Sequence, residues 1–494
     1  MPARQLVLTL DVGTSSVRGM LYDTGARPCE GAEVKIDYRP RVRDDGTAEV
    51  DADRLATRCL RALGGALRHA GRADEVLAVA VSTFWHGLLG LGRDDRPVTP
   101  LFLWSDTRSW REARGLAEHV DAAAAWARTG APLHPSYWPA KLAWLRAERP
   151  DWWRQARRWV SFADYLYLRL FGELGTSASM ASGTGLRQLD GGGWDPALLD
   201  ALGVRVRALP QEAEEMRGLL AEHRGRLRRV ADVPWLTARG DGALANLGTD
   251  CSGPDREALT VGTSAALRVV TTERPGRLQR GLWCYLVDPE RYLVGGSFSN
   301  GGNLHEWLVS RLRVGTDELE AALRRLPPAS TRISFLPLLS GERSPGFAAR
   351  AHGAVAPLTQ ATTALDLARA GLEAVSMTIA ATALALEDAL PGERRVVAGG
   401  GALVRSPAWC QVMADAIGSS VSTLDVPEAS SRGAALVALE RAGVPPPRRL
   451  PVARTFRPRR RAHLAYREAY LRLGKLYGAL IEDRLFEEAP AGPL

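Results

Sequence analysis

Two short stretches of this chain repeat one arrangement that can hold an anion. Asp11-Val-Gly-Thr-Ser-Ser16 and Thr260-Val-Gly-Thr-Ser264 each set a glycine beside hydroxyl residues, with β-branched and apolar residues on both sides. Glycine at Gly13 or Gly262 lets a ligand approach the backbone, and successive N–H groups can form a nest for phosphate oxygens. The hydroxyls of Thr14, Ser15, Ser16 and Thr263 add donors. One such turn alone reads better as an ordinary hairpin. Two matched turns in two half-chains could face each other across a cleft and hold one polyphosphate.

Three other positions could work with such turns. Asp11 stands at a strand end, where a carboxylate suits Mg²⁺ held through water, or simply caps the turn. Gly399-Gly400-Gly401 precedes a helix start and offers a second close approach to backbone, without the spacing of a dinucleotide-binding turn. Gly240-Asp241-Gly242 precedes the small-residue segment Ala243 to Gly248. Asp241 there is either a helix N-cap or an exposed carboxylate able to accept the proton of an attacking hydroxyl.

The elements that must position these residues alternate in type. Leu6 to Tyr22 and Ala258 to Val270 each read as strand, glycine turn, strand. Arg54 to His69 has helical periodicity and Val76 to Ser82 is a strand. Leu365 to Leu386 is a long Ala-rich helix, and Val396 to Ala398 a short strand. Ser406 and Pro407 open a helix as N-cap and first-turn proline, ending at Ile417 before Gly418. After Pro445-Pro-Pro447, Leu464 to Leu480 sets Tyr466, Tyr470, Leu473, Tyr477 and Leu480 on one helical face, which should pack back on the body. Alternation of this kind predicts an α/β architecture. The echo at half a chain's distance predicts two similarly built domains, 1–252 and 253–445, divided in the turn-rich Thr249 to Arg256, with 446–494 as a Pro-rich linker and final helix.

Composition narrows the class. The chain has 494 residues, too many for one core, with 46% hydrophobic and 24% charged residues, as in globular proteins. No apolar run long enough for a membrane span appears, and the run Leu6 to Leu10 is too short for a signal peptide, so the expected location is the cytoplasm. Five scattered cysteines show no metal-ligand spacing and are expected as reduced core thiols. The net charge of +8 is almost all arginine and spread along the chain. The basic run Arg457 to Arg461 lacks interleaved aromatics, so nucleic-acid binding is not expected.

The chain resembles the FGGY carbohydrate kinases, and it does so in order over most of its length. Asp11 to Ser16 resembles the family's first phosphate motif. Trp85-His86-Gly87 resembles its Met-His-Gly sugar motif, and Trp104 to Arg108 its Trp-x-Asp-x-Arg stretch. Gly240 to Gly242 falls where the catalytic aspartate belongs, and Thr260 to Ser264 where the second phosphate motif belongs. Ser340-Gly-Glu-Arg-Ser-Pro345 resembles the Gly-Glu-Arg-x-Pro loop. Gly399 to Gly401 with Ser406 and Trp409 resembles the adenosine motif, and Glu428 to Ala434 the small-residue helix after it.

What the resemblance implies is two actin-like, ribonuclease H-like domains of the hexokinase/Hsp70/actin ATPase fold with an interdomain cleft. It implies ATP and Mg²⁺, with Asp241 as the base and Asp11 and Asp241 facing the metal. Gly13, Thr14, Ser15, Ser16, Gly262 and Thr263 would meet phosphates, Gly400 and Gly401 the adenosine side, and lobe closure would exclude water. Trp85, His86, Gly87, Asp241 and His134 would meet the sugar. The expected partners are a sugar or sugar acid and MgATP, with no nucleic acid and no membrane, and a homodimer left open.

Thr129-Gly-Ala-Pro-Leu-His-Pro135 with Lys141, Ser179 to Gly185 and Ser299 to Asn303 resemble the family's gluconokinases more than its xylulokinases. The expected reaction is therefore gluconate to 6-phosphogluconate. A ketopentose such as xylulose, or a polyol, is the alternative acceptor, and a non-catalytic sugar and nucleotide sensor the alternative of another class. His86, His134 and Lys141 could offer donors to a carboxylate; His134 also reads as a turn residue and Lys141 as a helix-surface charge. The chain departs from the family at Trp85, in place of Met, and at Trp138, Pro357 and Gly371. Of the nine tryptophans from Trp85 to Trp159, most are expected in packing and one or two against a sugar face.

Overall fold

In the computed structural model, which describes residues 3–426 and 428–482, the first glycine turn joins two strands as its sequence requires. Gln5–Val12 runs antiparallel to Ser16–Asp23, with Leu8 opposite Leu21 and Asp11 opposite Arg18. Glu75–Thr83 lies parallel on the other side, with Asp11 opposite Ser82. Leu6, Val7, Leu8 and Leu10 are all fully buried, which is why this central strand is an unbroken apolar run. The parallel pair needs a crossover, and the helix Ala52–Leu67 supplies it, N-capped by Asp51 on the Arg54 N–H at 2.9 Å.

The second turn does the same. Arg256–Val261 and Ala265–Thr271 form an antiparallel hairpin, and Arg395–Gly399 lies parallel to the first of them, with Leu259 opposite Ala398. Val421–Leu424 continues the sheet in parallel and Val452–Phe456 closes it antiparallel. The long helix Ala364–Ala389 opens on a capping box of Thr363 and Asp366. By length and composition it could cross a membrane, but 67% of its apolar window is buried within the protein. The helix Pro407–Ile417 has Ser406 as N-cap, bonded to the Trp409 N–H, and stops at Gly418, whose φ is 81°.

By backbone packing the chain divides into two units. One comprises Met1–Asp250, Cys284–Leu293 and Pro427–Arg449; the other comprises Cys251–Trp283, Val294–Val426 and Leu450–Leu494. The chain thus returns twice to complete the first unit. In the second unit the helix Arg460–Tyr477 buries Tyr466 and Leu473. Tyr466 donates to Glu373, which pairs with Arg369 at 3.0 Å, and Tyr477 donates to Glu342 at 2.6 Å. Leu480 lies beyond that helix, in the short π-helix Gly478–Glu482. Residues 483–494 of the C-terminal segment, with Met1 and Pro2, lie outside the described residues.

The tryptophans are mainly structural. Trp138, Trp144 and Trp159 are buried in one cluster of the first unit with Leu142, Leu145 and Leu186, and Trp152 and Trp153 pack on its edge. Cys59, Cys251, Cys284 and Cys410 are buried free thiols and Cys29 is half-buried.

Candidate active site

Asp241 begins the helix Asp241–Gly248, delivered by the short strand Arg239–Gly240, which pairs with the end of Glu75–Thr83. The N-cap is Gly240, not Asp241, because extended backbone at residue 240 places the aspartate already in the first turn. The capping alternative for Asp241 is thereby corrected. Its Oδ1 accepts from the Gly242 N–H at 2.7 Å within the first turn of the helix. Asp241 is half-buried.

The helix Ala429–Arg441 fixes the Asp241 helix from behind. A Cβ on Gly248 would stand 1.8 Å from the Ala429 carbonyl, and one on Gly433 would stand 1.9 Å from that of Leu244. Small residues at Ala429 to Ala434 are what permit backbone to meet backbone. Ser430 Oγ donates to the Asp241 carbonyl at 3.3 Å. Arg432 donates to the Gly248 carbonyl at 2.6 Å and to Asp250 at 2.9 Å, closing the helix C-terminus.

Trp85-His86-Gly87 follows the strand Glu75–Thr83. Trp85 is 6% exposed, donates Nε1–H to the Ser179 carbonyl at 3.0 Å and lies flush against Gly183 and Gly240. His86 has a φ of 67° and holds the Gly183 carbonyl with Nδ1, so that nitrogen carries the proton. Gly87 gives its carbonyl to Trp138 Nε1–H at 3.1 Å. Tyr137 and Tyr285 stand edge-on to His86, with ring centroids at 4.8 and 5.5 Å, and their hydroxyls pair at 2.5 Å. Neither tyrosine stood out in the sequence. Tyr285 sits within Trp283–Asp288, a strand buried throughout, and nothing local marks it.

His134 and Lys141 are both part of the structure of a loop. His134 is buried, and its Nδ1 accepts from the Ser136 N–H at 3.2 Å, the turn role anticipated for it. Lys141 is not a surface charge. It is 2% exposed and donates Nζ to the Pro135 carbonyl and, at 3.3 Å, to the Asp106 carbonyl, and burial lowers its pKa to about 8. Asp106 in turn accepts from the Ala48 N–H at 3.0 Å and from Arg108 at 2.6 Å, so the Trp104 to Arg108 stretch braces the same loop.

In the first turn, Gly13 N–H donates to the Ser16 carbonyl at 3.0 Å, and Arg18 donates to Ser16 Oγ at 3.1 Å. Thr14 is half-buried and Ser15 exposed. Asp11 is buried, and burial raises its carboxyl pKa against the opposing pull of Ser82 and Arg18. In the second turn, Gly262 N–H donates to the Ser264 carbonyl at 3.0 Å. The helix Gly302–Leu312 starts on that turn, Gly302 N–H meeting the Gly262 carbonyl at 2.8 Å and Asn303 N–H that of Thr263 at 3.0 Å. Gly400, with φ of 87°, rests on Val261, and Gly401 follows it. The second unit therefore gathers Gly262, Thr263, the start of the 302–312 helix, Gly400 and Gly401.

Two actin-like α/β units, each with such a hairpin, define a two-domain phosphotransferase of the actin-like ATPase fold. The chain belongs to the FGGY family of carbohydrate kinases: the family's N-terminal domain matches residues 6–248 and its C-terminal domain residues 258–441. It is an ATP-dependent sugar kinase. A gluconokinase of Bacillus subtilis is 26% identical over 455 residues, covering 88% of each chain. A xylulose kinase of Streptomyces rubiginosus is 30% identical over 443 residues, covering 87% of this chain and 86% of its own. The crystal structure of gluconate kinase from Lactobacillus acidophilus superposes with a TM-score of 0.88 at 26% identity, over 97% of this chain and 98% of that one.

Proposed function

We propose that the acceptor is gluconate, phosphorylated to 6-phosphogluconate, and that Asp241 takes the proton of the attacking hydroxyl. The observation that carries the base assignment is its setting. Asp241 starts a helix locked by backbone contact to a second helix, and the residue before it packs on Trp85 of the sugar motif. A base so fixed loses little freedom when the hydroxyl arrives. Gluconate is favoured by the gluconokinase relatives and by the loop of Thr129 to Pro135, which His134 and Lys141 hold in shape. The xylulose kinase relatives favour the second reading, a ketopentose.

The turns at Gly13 to Ser16 and at Gly262 and Thr263 bind phosphate oxygens of ATP in this reading, with Gly400 and Gly401 on the adenosine side. Nothing within 4 Å would meet a Cβ at Gly262, so that backbone offers an open approach. Asp11 and Asp241 suit Mg²⁺. Both are carboxylates, hard oxygen donors of the kind that suit an ion which keeps its water and takes phosphate oxygens. When bound, Mg²⁺ neutralises charge on the phosphates. The chain's own residues orient the hydroxyl, accept its proton and present N–H groups to the phosphates.

The test is ADP release measured with gluconate, xylulose and glucitol. A site built for a carboxylate rejects the neutral polyol strongly, because its buried donors are left unpaired. A higher kcat/KM for xylulose, or equal values for gluconate and glucitol, overturns gluconate and leaves the kinase assignment standing.

A further inference from the structure

A cavity of about 490 Å³ opens in the first unit at the start of the Ala52–Leu67 helix, apart from Asp241 and the sugar motif. Arg39, Arg41, Arg54 and Arg58 line it. Three carboxylates also line it, and each is committed. Glu49 accepts from Arg108 at 2.7 Å, Asp51 caps the helix, and Asp53 accepts from Tyr165 at 2.6 Å and from Arg169.

The guanidinium groups are not so committed. Arg39 makes no hydrogen bond or ion pair among the described residues. Arg41 and Arg54 stand 3.6 Å from Glu49 and Asp51, beyond good hydrogen-bond length. Among the described residues Arg58 reaches only the Arg54 carbonyl and the face of Tyr38. Each guanidinium carries five N–H donors, so the cavity holds a large excess of donors over acceptors. A phosphate ester, with three acceptor oxygens and close to two negative charges, satisfies such a set. The volume falls within the range of roughly 300–1,000 Å³ usual for small-molecule clefts and exceeds what free phosphate needs.

One wall is also a strut of the first turn. Tyr38 is 7% exposed; its N–H donates to the Ser15 carbonyl at 2.8 Å and its hydroxyl to the Gly13 carbonyl at 2.6 Å. We infer that this cavity binds a small phosphate ester through Arg39, Arg54 and Arg58, and that Tyr38 couples its occupancy to the Gly13–Ser16 turn. The coupling half rests on the reading of that turn as a nucleotide site; the binding half does not.

Titration calorimetry of the full chain with a hexose 6-phosphate, inorganic phosphate and the neutral hexose tests the binding half. Arg39→Ala and Arg54→Ala alter exposed side chains, and unchanged melting temperatures certify their folds. Saturable heat from the ester, none from the hexose, and a loss of about tenfold or more in each variant is the expected result. No saturable heat, or one affinity in the parent and both variants, overturns the site, the latter because the ester then sits elsewhere. Equal affinity for inorganic phosphate overturns the ester as occupant. For the coupling, the ester should change the ATP dissociation constant several-fold in the parent. Tyr38→Phe should abolish that change while keeping ester affinity. An ATP affinity indifferent to the ester overturns the coupling, and failure to turn over any sugar is a separate result, seen only in ADP release.

Discussion

The indole of Trp85 fills the space that a side chain on residue 240 would need: a Cβ on Gly240 would lie 1.8 Å from Trp85 Cε2. The large residue that replaces the family's methionine is therefore matched to the glycine before Asp241. Gly240→Ala should destabilise the first unit by roughly 1–3 kcal/mol, the usual cost of overpacking. In the Trp85→Met background the same change should cost much less. Urea unfolding of the four proteins gives the cycle; strictly additive losses would mean that the two residues do not share this space.

Asp241→Asn should fold normally, because the amide oxygen can still accept from the Gly242 N–H. Turnover should fall by roughly 10²–10⁴-fold, the usual worth of a positioned base, with ATP affinity retained. Steady-state kinetics and nucleotide titration separate the two. Near-parental turnover would remove Asp241 from the base role.

Gly262 offers a cleaner probe of the phosphate reading than Gly13. A Cβ at Gly262 meets nothing within 4 Å, whereas one at Gly13 touches the Ser16 carbonyl at 3.5 Å. Gly262→Ala should leave the melting temperature unchanged and raise KM for ATP well above any change in KM for sugar. Unchanged ATP kinetics would reduce the turn to a hairpin.

Gly433→Ala should be among the most harmful single changes in the first unit. Its Cβ would press the Leu244 carbonyl at 1.9 Å, and neither backbone can yield cheaply. A loss of about 3 kcal/mol or more is expected, above the common range because both contacting parts are helix backbone. Thermal unfolding checks it, and a loss within 0.5 kcal/mol, the ordinary scatter of neutral changes, would contradict the helix contact.

Asp164 sets a pH dependence of stability. It is 1% exposed, and burial raises its pKa to about 6, only partly offset by hydrogen bonds from Ser161. The folded state therefore holds a proton that the unfolded chain, with an ordinary carboxyl near 3.8, releases. Stability from this group is full below the ordinary value and falls as pH rises through about 6. Asp164→Asn should remove that fall, gaining on the order of 2–3 kcal/mol relative to the parent at pH 8 and little at pH 4. Urea midpoints across that range decide it; parallel curves for the two proteins would show that Asp164 does not titrate there.

Local signals made much of this fold readable. The hairpin at Gly13, the Ser406 cap and the stop at Gly418 depend on neighbours within a few residues, and they appear where the sequence puts them. The surface-charge reading of Lys141 failed for a reason that was visible. Its helix, Trp138–Glu148, is apolar on nearly every side, so it has little solvent face for a charge to occupy. Asp241 was misjudged as a potential cap because a one-residue shift in where a helix starts cannot be read from glycines on both sides. Tyr285 beside His86, and Trp85 against Gly240, join residues far apart in the chain, and no local pattern carries such pairs.

The helix that locks Asp241 in place has a bearing on how the protein is made. Asp241–Gly248 and Ala429–Arg441 meet backbone to backbone, yet the whole Cys251–Trp283 and Val294–Val426 stretch of the other unit lies between them in the chain. During synthesis the first 250 residues emerge without their partner helix, and the Asp241 helix lacks this backbone packing until the 429–441 helix has left the ribosome. The order of translation thus makes Asp241, the proposed base, one of the last groups to be set, although it lies near the middle of the sequence. A nascent chain halted before Glu428 should carry its N-terminal sheet and remain inert.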